Sequence, residues 1–458
     1  MENKTIKFID LFAGMGGIRI GFENAAKAIG IRTECVLTSE IKPHAIEVLK
    51  QNFNNEYISG DITKISNSEI PDFDFLFGGF PCQSFSAAGK RMGFLDTRGT
   101  MFFEIERILK DKKPFGFILE NVEGLINHDR ENKNDKIGRT LDTIIKSLRN
   151  LEYHVEWKLL NSKHFGLAQD RKRVYIVGTK LEKPSLTNFE EKTTNLESIL
   201  EKGNPTVKSR FTELLLSRYS IEELYGKSIK DKRGGENNIH SWDIELKGKV
   251  SKEQKTLLNQ LFKERRKKQW AEEYGIDWMD GMPLTLNQIS TFSKLTNLES
   301  TLEELVKLGY LKKEYPKRLV KEINLLGEVT MTRRQDSTLP IGYNIVAGKL
   351  SFEVNKILSP KEIAPTLVAM DMKKLFVVDN GGLRTLTLNE GLKLFGYPKN
   401  YKFDINKEDG YDLLGNTVCV PIITAISERI LSIWTQTLKK SNAKNKVNNS
   451  RSLQQVNF

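Results

Sequence analysis

From residue 6 to about residue 180, short apolar runs alternate with helix-length amphipathic stretches, and few folds accommodate that rhythm. The apolar runs are 7–12, 34–39, 57–59, 73–78, 115–120, 154–160 and 173–179, with helical periodicity over 17–29 and 44–52 between them. Strands alternating with helices predict an open, mostly parallel, Rossmann-like α/β sheet covered by helices on both faces. In such sheets the ligand sits beyond the carboxyl ends of the strands, so the polar loops there are where chemistry is sought.

The rhythm breaks near Pro184, and the next two hundred or so residues are richer in Lys, Glu and Asn. Between residues 247 and 270 nine basic residues face two acidic ones, Glu253 and Glu264. A helix over 253–273, a short helix over 285–292, a helix over 297–308 and a hairpin over 309–320 are expected there. That order fits a winged helix-turn-helix or an ordinary small helical bundle. α/β character returns at 375–378, a helix is expected over 420–438, and the basic tail 439–458, which lacks acidic residues, is expected to be disordered.

A net charge of +12 points to a polyanionic partner. Cys35, Cys82 and Cys419 lie too far apart for a disulfide framework and suit a reducing cytosol; no zinc spacing accompanies them, and no metal is expected. No signal peptide and no apolar run of membrane-spanning length is expected, which leaves no role for a membrane.

Several strand-end loops carry chemistry. The first strand ends in Asp10-Leu-Phe12-Ala-Gly14-Met-Gly16-Gly17, a glycine turn that lets backbone approach a nucleotide-like ligand. Arg19 stands where the dinucleotide fingerprint needs its third glycine, so a pyrophosphate is not expected. Glu40 ends the second strand, where an acid can accept ribose hydroxyls, and Asp61 the third, where an acid can accept an adenine amino group; both acids could equally cap helices. Phe75-Leu-Phe-Gly78-Gly79-Phe80-Pro81-Cys82-Gln83-Ser84-Phe85-Ser86 delivers a cysteine into a polar turn, where a thiolate can act as nucleophile. Glu120-Asn121-Val122 ends another strand in a carboxylate that burial would keep protonated. Arg171 and Arg173 enter a strand at alternate positions, which predicts that both point towards one anion or carbonyl.

Together, and in this order, these motifs resemble the DNA (cytosine-5) methyltransferase family of bacterial restriction–modification systems. The resemblance covers residues 7–178 and 384–430. It includes Asp96-Thr-Arg-Gly99-Thr-Met101, Gln169–Arg173, Arg384–Glu390 with Gly396-Tyr397-Pro398, and Leu414-Gly415-Asn416-Thr417-Val418. The resemblance implies a catalytic domain of residues 1–183 plus 411–438, with a smaller target-recognition domain over 184–410 that contains the winged-helix candidate at 253–320. It implies S-adenosylmethionine as cofactor, held by Phe12, Gly14, Gly16, Glu40, Ile41, Asp61, Ile62, Pro81, Met101, Asn416 and Val418. Cys82, Glu120, Arg171 and Arg173 are the implied catalytic residues, with Gln83, Ser86, Asn121, Thr366 and Leu367 at the substrate. Duplex DNA is the implied partner of a cytoplasmic, nucleoid-associated bacterial monomer, functionally paired with a cognate restriction endonuclease. The helix 297–308 or the hairpin after it is expected to touch that DNA. A tRNA methyltransferase of the same fold fits less well, because that group carries Pro-Pro-Cys at the nucleophile and a second cysteine element downstream. A silent DNA-binding regulator would have little reason to keep Cys82, Glu120 and both arginines together.

Overall fold

The apolar runs become strands. The computed structural model describes residues 5–53, 58–80, 100–132, 134–231, 237–277, 281–323, 329–346 and 352–454. Its first strands are β1 (Ile6–Leu11), β2 (Thr33–Ser39), β3 (Ile58–Ser59), β4 (Phe75–Gly79), β5 (Gly116–Val122), β6 (His154–Asn161) and β7 (Lys172–Thr179). They form one sheet in the order β3-β2-β1-β4-β5-β7-β6. β1 to β5 are parallel, and β7 runs antiparallel to both β5 and β6. The helices between them are α1 (Gly17–Ala28), α2 (Pro43–Asn52), α3 (Thr100–Lys112) and α4 (Arg139–Asn150).

Strand alternation sorts the apolar side chains onto two faces. Phe8, Phe75 and Phe77 point to one, where they meet Phe22 of α1, and Phe75 also meets Trp434. Ile9, Leu11, Leu76, Phe117, Leu119 and Ile176 point to the other, where α3 and α4 cover them. α4 buries Leu141, Ile144, Ile145 and Leu148, one stripe at helical spacing. Each aromatic ring so removed from water contributes about 2–3 kcal/mol, which fixes the sheet rigidly beneath its loops.

The chain divides into two compact units, one comprising Met1–Glu201, Pro360–Lys373 and Leu386–Phe458, the other Lys202–Ser359 and Lys374–Thr385. In the first, the stretch Lys407–Thr437 is long and apolar enough to cross a membrane by length and composition, which the sequence reading did not anticipate. Its apolar window is 67% buried within the protein, as expected of a core helix. The helix Val420–Gln454 also runs through residues expected to be a disordered tail. No proline or glycine lies between residues 439 and 454 to stop it.

The second unit contains a five-stranded sheet and a separate helical core. The helical core is built on Lys252–Glu264, Gln269–Glu272, Leu286–Ser290 and Leu298–Lys307, around Trp242, Leu258, Leu261, Phe262 and Leu302. The single helix expected over 253–273 is two, because the chain breaks at Arg265, whose buried guanidinium lies 5.1 Å from the Phe262 ring. The hairpin expected over 309–320 is also corrected. Leu311–Glu314 pairs with Gly342–Ile345, and Lys317–Ile323 pairs with Val329–Gln335. Pro316 explains the difference: it lacks an N–H and favours extended backbone at Tyr315, so the chain runs on instead of reversing. Leu284 bridges antiparallel to Tyr343. Helices are thus followed by a strand, an antiparallel strand pair and a returning strand.

Candidate active site

The loops after β1, β2 and β3 form one edge of the site. Phe12, Gly14 and Gly16 all adopt positive φ, at 54°, 55° and 72°, so the turn from β1 into α1 is a left-handed coil that glycine eases. A Cβ on Gly14 would meet nothing within 4 Å, so the turn faces open space. Its amide donates to Glu40 Oε2 at 2.7 Å. The other Glu40 oxygen accepts the amides of Ile41 and Lys42 at 2.8 and 2.9 Å. Glu40 thus welds two loops, and it is buried. Ile41 beside it is 69% exposed, an apolar side chain left standing at a polar edge. Asp61 accepts from the Thr63 amide and hydroxyl at 3.0 and 2.7 Å, starting the short helical turn Ile62–Lys64, in which Ile62 is buried. The Thr63 hydroxyl and amide hold the Asp61 carboxyl below its usual range. Both acids therefore do cap backbone, as the plainer reading allowed.

The chain's last third reaches the same edge. Asn416 ends the helix Lys407–Asn416, and Val418 follows, buried. Gly17 lets α1 approach this segment: a Cβ there would lie 2.7 Å from both Tyr397 Oη and Val418 Cγ2. The Tyr397 and Thr417 hydroxyls share a hydrogen bond of 2.6 Å, and the Tyr401 hydroxyl donates to the Met15 carbonyl at 2.6 Å. Asp412 receives Lys42 Nζ at 2.8 Å, lies 3.1 Å from His44 Nε2, and accepts from Asn416 at 3.1 Å. Tyr401 and Asp412 were not singled out from the sequence. Tyr401, four residues after the Tyr397 of a recognised motif, was the available signal.

The other edge is built by β4, β5 and β7. Register sets Glu120 opposite Gly79 on one side and Tyr175 on the other, with Val122 opposite Arg173. Glu120 Oε1 lies 3.1 Å from Arg173 Nε, both side chains only 12% exposed. Burial pushes the Glu120 carboxyl above the usual carboxylate range, and the charge of Arg173, then that of Arg171, pulls it only part of the way back. Asn121, buried, donates to the Phe80 carbonyl at 3.1 Å and so ties the end of β5 to the residue before Pro81. Pro81, Cys82, Gln83 and Ser86 lie outside the described residues. Met101 occupies the first turn of α3 and packs partly buried against the sheet core.

The two arginines diverge, contrary to the expectation of a shared anion. Arg171 precedes β7, so strand alternation does not govern it. Its buried guanidinium donates to the carbonyls of Leu367, Gly415 and Thr417 at 2.8, 3.0 and 2.8 Å. Burial and the like charge of Arg173 lower its pKa to about 10, which leaves it charged at neutral pH. Arg173 instead turns to Glu120 and lines a cavity of about 490 Å³ with Val122, Glu123, Asp170, Lys172 and Thr366. The Thr366 hydroxyl donates to the Asp170 carbonyl at 2.6 Å, and Leu367 is fully buried with its amide on Gln169. Thr366 and Leu367 thus fold with the first unit, which holds the seven-stranded sheet. Cys419, near Arg171, is a buried thiol pushed up to about 11 and stays protonated at neutral pH. Among the described residues no cluster of His, Cys, Asp or Glu could hold a metal ion.

A mostly parallel sheet covered by helices on both faces, with a glycine turn, two loop-capping acids and a buried acid–arginine pair near its strand ends, is that of a Rossmann-like methyltransferase. The model of the C-5 cytosine-specific DNA methylases matches residues 6–432, and the chain belongs to that family. It is 61% identical to the Type II methyltransferase M.NlaIV of Neisseria lactamica over 93% of this chain and 99% of that one. It is 41% identical to the Type II methyltransferase M.BanI of Aneurinibacillus aneurinilyticus over 92% of this chain and 95% of the other. Among solved structures, the methyltransferase EhMeth of Entamoeba histolytica shares the fold at a TM-score of 0.51 and 16% identity, covering 94% of this chain and 99% of that one.

Proposed function

We propose that this protein methylates C5 of a cytosine flipped out of a specific duplex DNA site, as the modification enzyme of a Type II restriction–modification system. S-adenosylmethionine fits the first edge of the site. The open turn at Gly14 leaves room for a ligand close to backbone, exposed Ile41 offers an apolar surface, and Glu40 and Asp61 retain oxygen lone pairs for hydroxyl and amino groups. Phe12, Met101, Asn416 and Val418 would complete the cradle. Bound there, it would supply an electrophilic methyl group.

The protein's own residues activate the base. Cytosine C5 is a poor nucleophile, so Cys82 as thiolate attacks C6 and its S–C6 bond turns the ring into an enamine. Glu120, kept protonated by burial, holds a proton on N3 and so accommodates the electrons pushed into the ring. Arg173 holds O2 beside it. After methylation, transfer of the C5 proton to water returns its electron pair to a C5=C6 bond, breaking S–C6 so that Cys82 leaves as thiolate and the aromatic ring is restored. Arg171 acts at one remove, fixing the backbone at Gly415 and Thr417 on either side of Asn416. Extruding the base costs a few kcal/mol of unstacking, offset by contacts from the second unit to the DNA phosphates. The buried Glu120–Arg173 pair at the end of β5 carries this reading. Purified protein, tritiated S-adenosylmethionine and plasmid DNA, digested to nucleosides, should yield label in 5-methyldeoxycytidine. Label in N4-methyldeoxycytidine, or in RNA alone, would refute it.

A further inference from the structure

Charge separates two elements of the second unit. The helix Leu298–Lys307, in the place of a recognition helix, carries Glu299, Glu303 and Glu304 against Lys307. Glu303 is engaged by Lys313 and by the Tyr343 hydroxyl, and Glu304 by Gln254, while Glu299 is exposed. Beside phosphates such a helix face is repelled.

The hairpin of Lys317–Ile323 and Val329–Gln335 has the opposite character. Five basic residues, Lys317, Arg318, Lys321, Arg333 and Arg334, stand on it against one acid, Glu322. It forms a two-stranded sheet of its own, tied to the rest of the unit where Arg318 and Arg333 donate to the Gly275 and Asp277 carbonyls at 3.2 and 3.3 Å. Pairing places Lys317 opposite Gln335, Leu319 opposite Arg333 and Lys321 opposite Met331, so these six share one face. Lys321 and Arg333 are exposed there, and Met331 is 51% exposed. Lys317 Nζ lies 3.9 Å from Glu314 and the Arg333 guanidinium donates to the Asp277 and Lys317 carbonyls at 3.3 and 3.4 Å, while on the other face Arg318 is tied to Asp336 at 2.8 Å and Arg334 to Glu322.

We propose that this hairpin, not the helix Leu298–Lys307, is the element of the winged-helix segment that holds duplex DNA, with Lys317, Lys321 and Arg333 on phosphates and Met331 against the groove wall. The proposal rests on the reading of the chain as a duplex-specific cytosine methyltransferase. Each phosphate neutralised releases a counterion, so the contact has a salt signature that mere structural support lacks.

The test uses the full chain and a fluorescent duplex cut from plasmid DNA that the protein has methylated. The K317Q/K321Q/R333Q variant should bind about tenfold or more weakly at roughly 0.1 M salt, with a log–log salt slope shallower by about 2–3. Glu299→Gln should leave affinity and slope at least as strong as the parent's. Met331 replaced by a photoreactive benzoylphenylalanine should crosslink to the duplex, and Ser300 so replaced should not, which guards against a triple variant that merely misfolds. An unchanged slope in the triple variant, or crosslinking from Ser300 and none from Met331, overturns the proposal. If either occurs while the parent methylates cytosine normally, the hairpin claim fails alone. A parent that binds and methylates RNA in place of the duplex defeats the underlying reading as well.

Discussion

The carboxylates that follow β3 and end β5 hold equivalent positions at the tips of strands, yet the protein treats them oppositely. Asp61 meets a threonine hydroxyl and amide and is held below its usual pKa, whereas Glu120 is desolvated and pushed above its own. In the first the carboxylate is favoured, fit to accept hydrogen bonds; in the second burial favours the protonated form. Two carboxylates on one sheet edge are thus shifted in opposite directions, set by local solvation and hydrogen bonding instead of by residue type. The two also bear oppositely on stability. Asp61, depressed, contributes stability that is present above its unfolded pKa and lost as pH falls through its folded value. Glu120, raised, withdraws stability as pH rises from its unfolded pKa through its folded one.

The largest break in that contrast should come from Glu120→Gln, which removes the titrating proton while preserving shape. Single-turnover methyl transfer is expected to fall about 10²–10⁴-fold. In the parent, the Glu120 contribution to rate is lost as pH rises through the raised pKa, and in Glu120→Gln that alkaline limb should vanish. Arg173→Gln sharpens the same point: without the neighbouring charge Glu120 is pushed further up, so the limb should move to higher pH even as the rate drops. Next in size is Arg171→Met, which strands three buried carbonyls and should lower stability by about 3 kcal/mol, read as a drop in Tm, while weakening cofactor binding. Arg171→Lys should not restore it, because one ammonium cannot reproduce the guanidinium fork. Asp61→Asn should raise the cofactor Kd by about tenfold in calorimetry with kcat nearly unchanged. Tyr401→Phe, which loses only the bond to Met15, should cost about 1 kcal/mol and raise that Kd less than Asp61→Asn does.

Much of the sheet was legible because a parallel strand buried on both faces leaves a run of apolar residues bounded by polar loops. β1, β2, β5 and β7 fall within a few residues of their expected limits. The glycine turn, Glu40 and Asp61 were readable for the same reason, as the polar residues that end those runs. Arg171 misled because alternation is a property of strands, and it stands one residue outside β7. Its true partners, Leu367, Gly415 and Thr417, come from segments about 200 residues or more away in sequence, which no local pattern encodes. The hairpin after Gly309 failed similarly: turn residues were visible, but the strand that pairs with Leu311–Glu314 begins only at Gly342. Tyr401 escaped because a buried tyrosine hydroxyl bonding a distant carbonyl looks, in sequence, like any aromatic residue.

The central claim, attack by Cys82 within a site where Glu120 holds the proton, is tested most directly by trapping the attack. Duplex DNA carrying 5-fluorocytosine, incubated with the protein and tritiated S-adenosylmethionine, cannot release fluorine as a cation, so the enzyme should stall as a labelled, denaturation-resistant adduct. The adduct should form with the parent, form more slowly with Glu120→Gln, and be absent with Cys82→Ser. An adduct that survives in Cys82→Ser, or none in the parent despite binding of cofactor and DNA and methylation of unmodified cytosine at C5, would contradict the account.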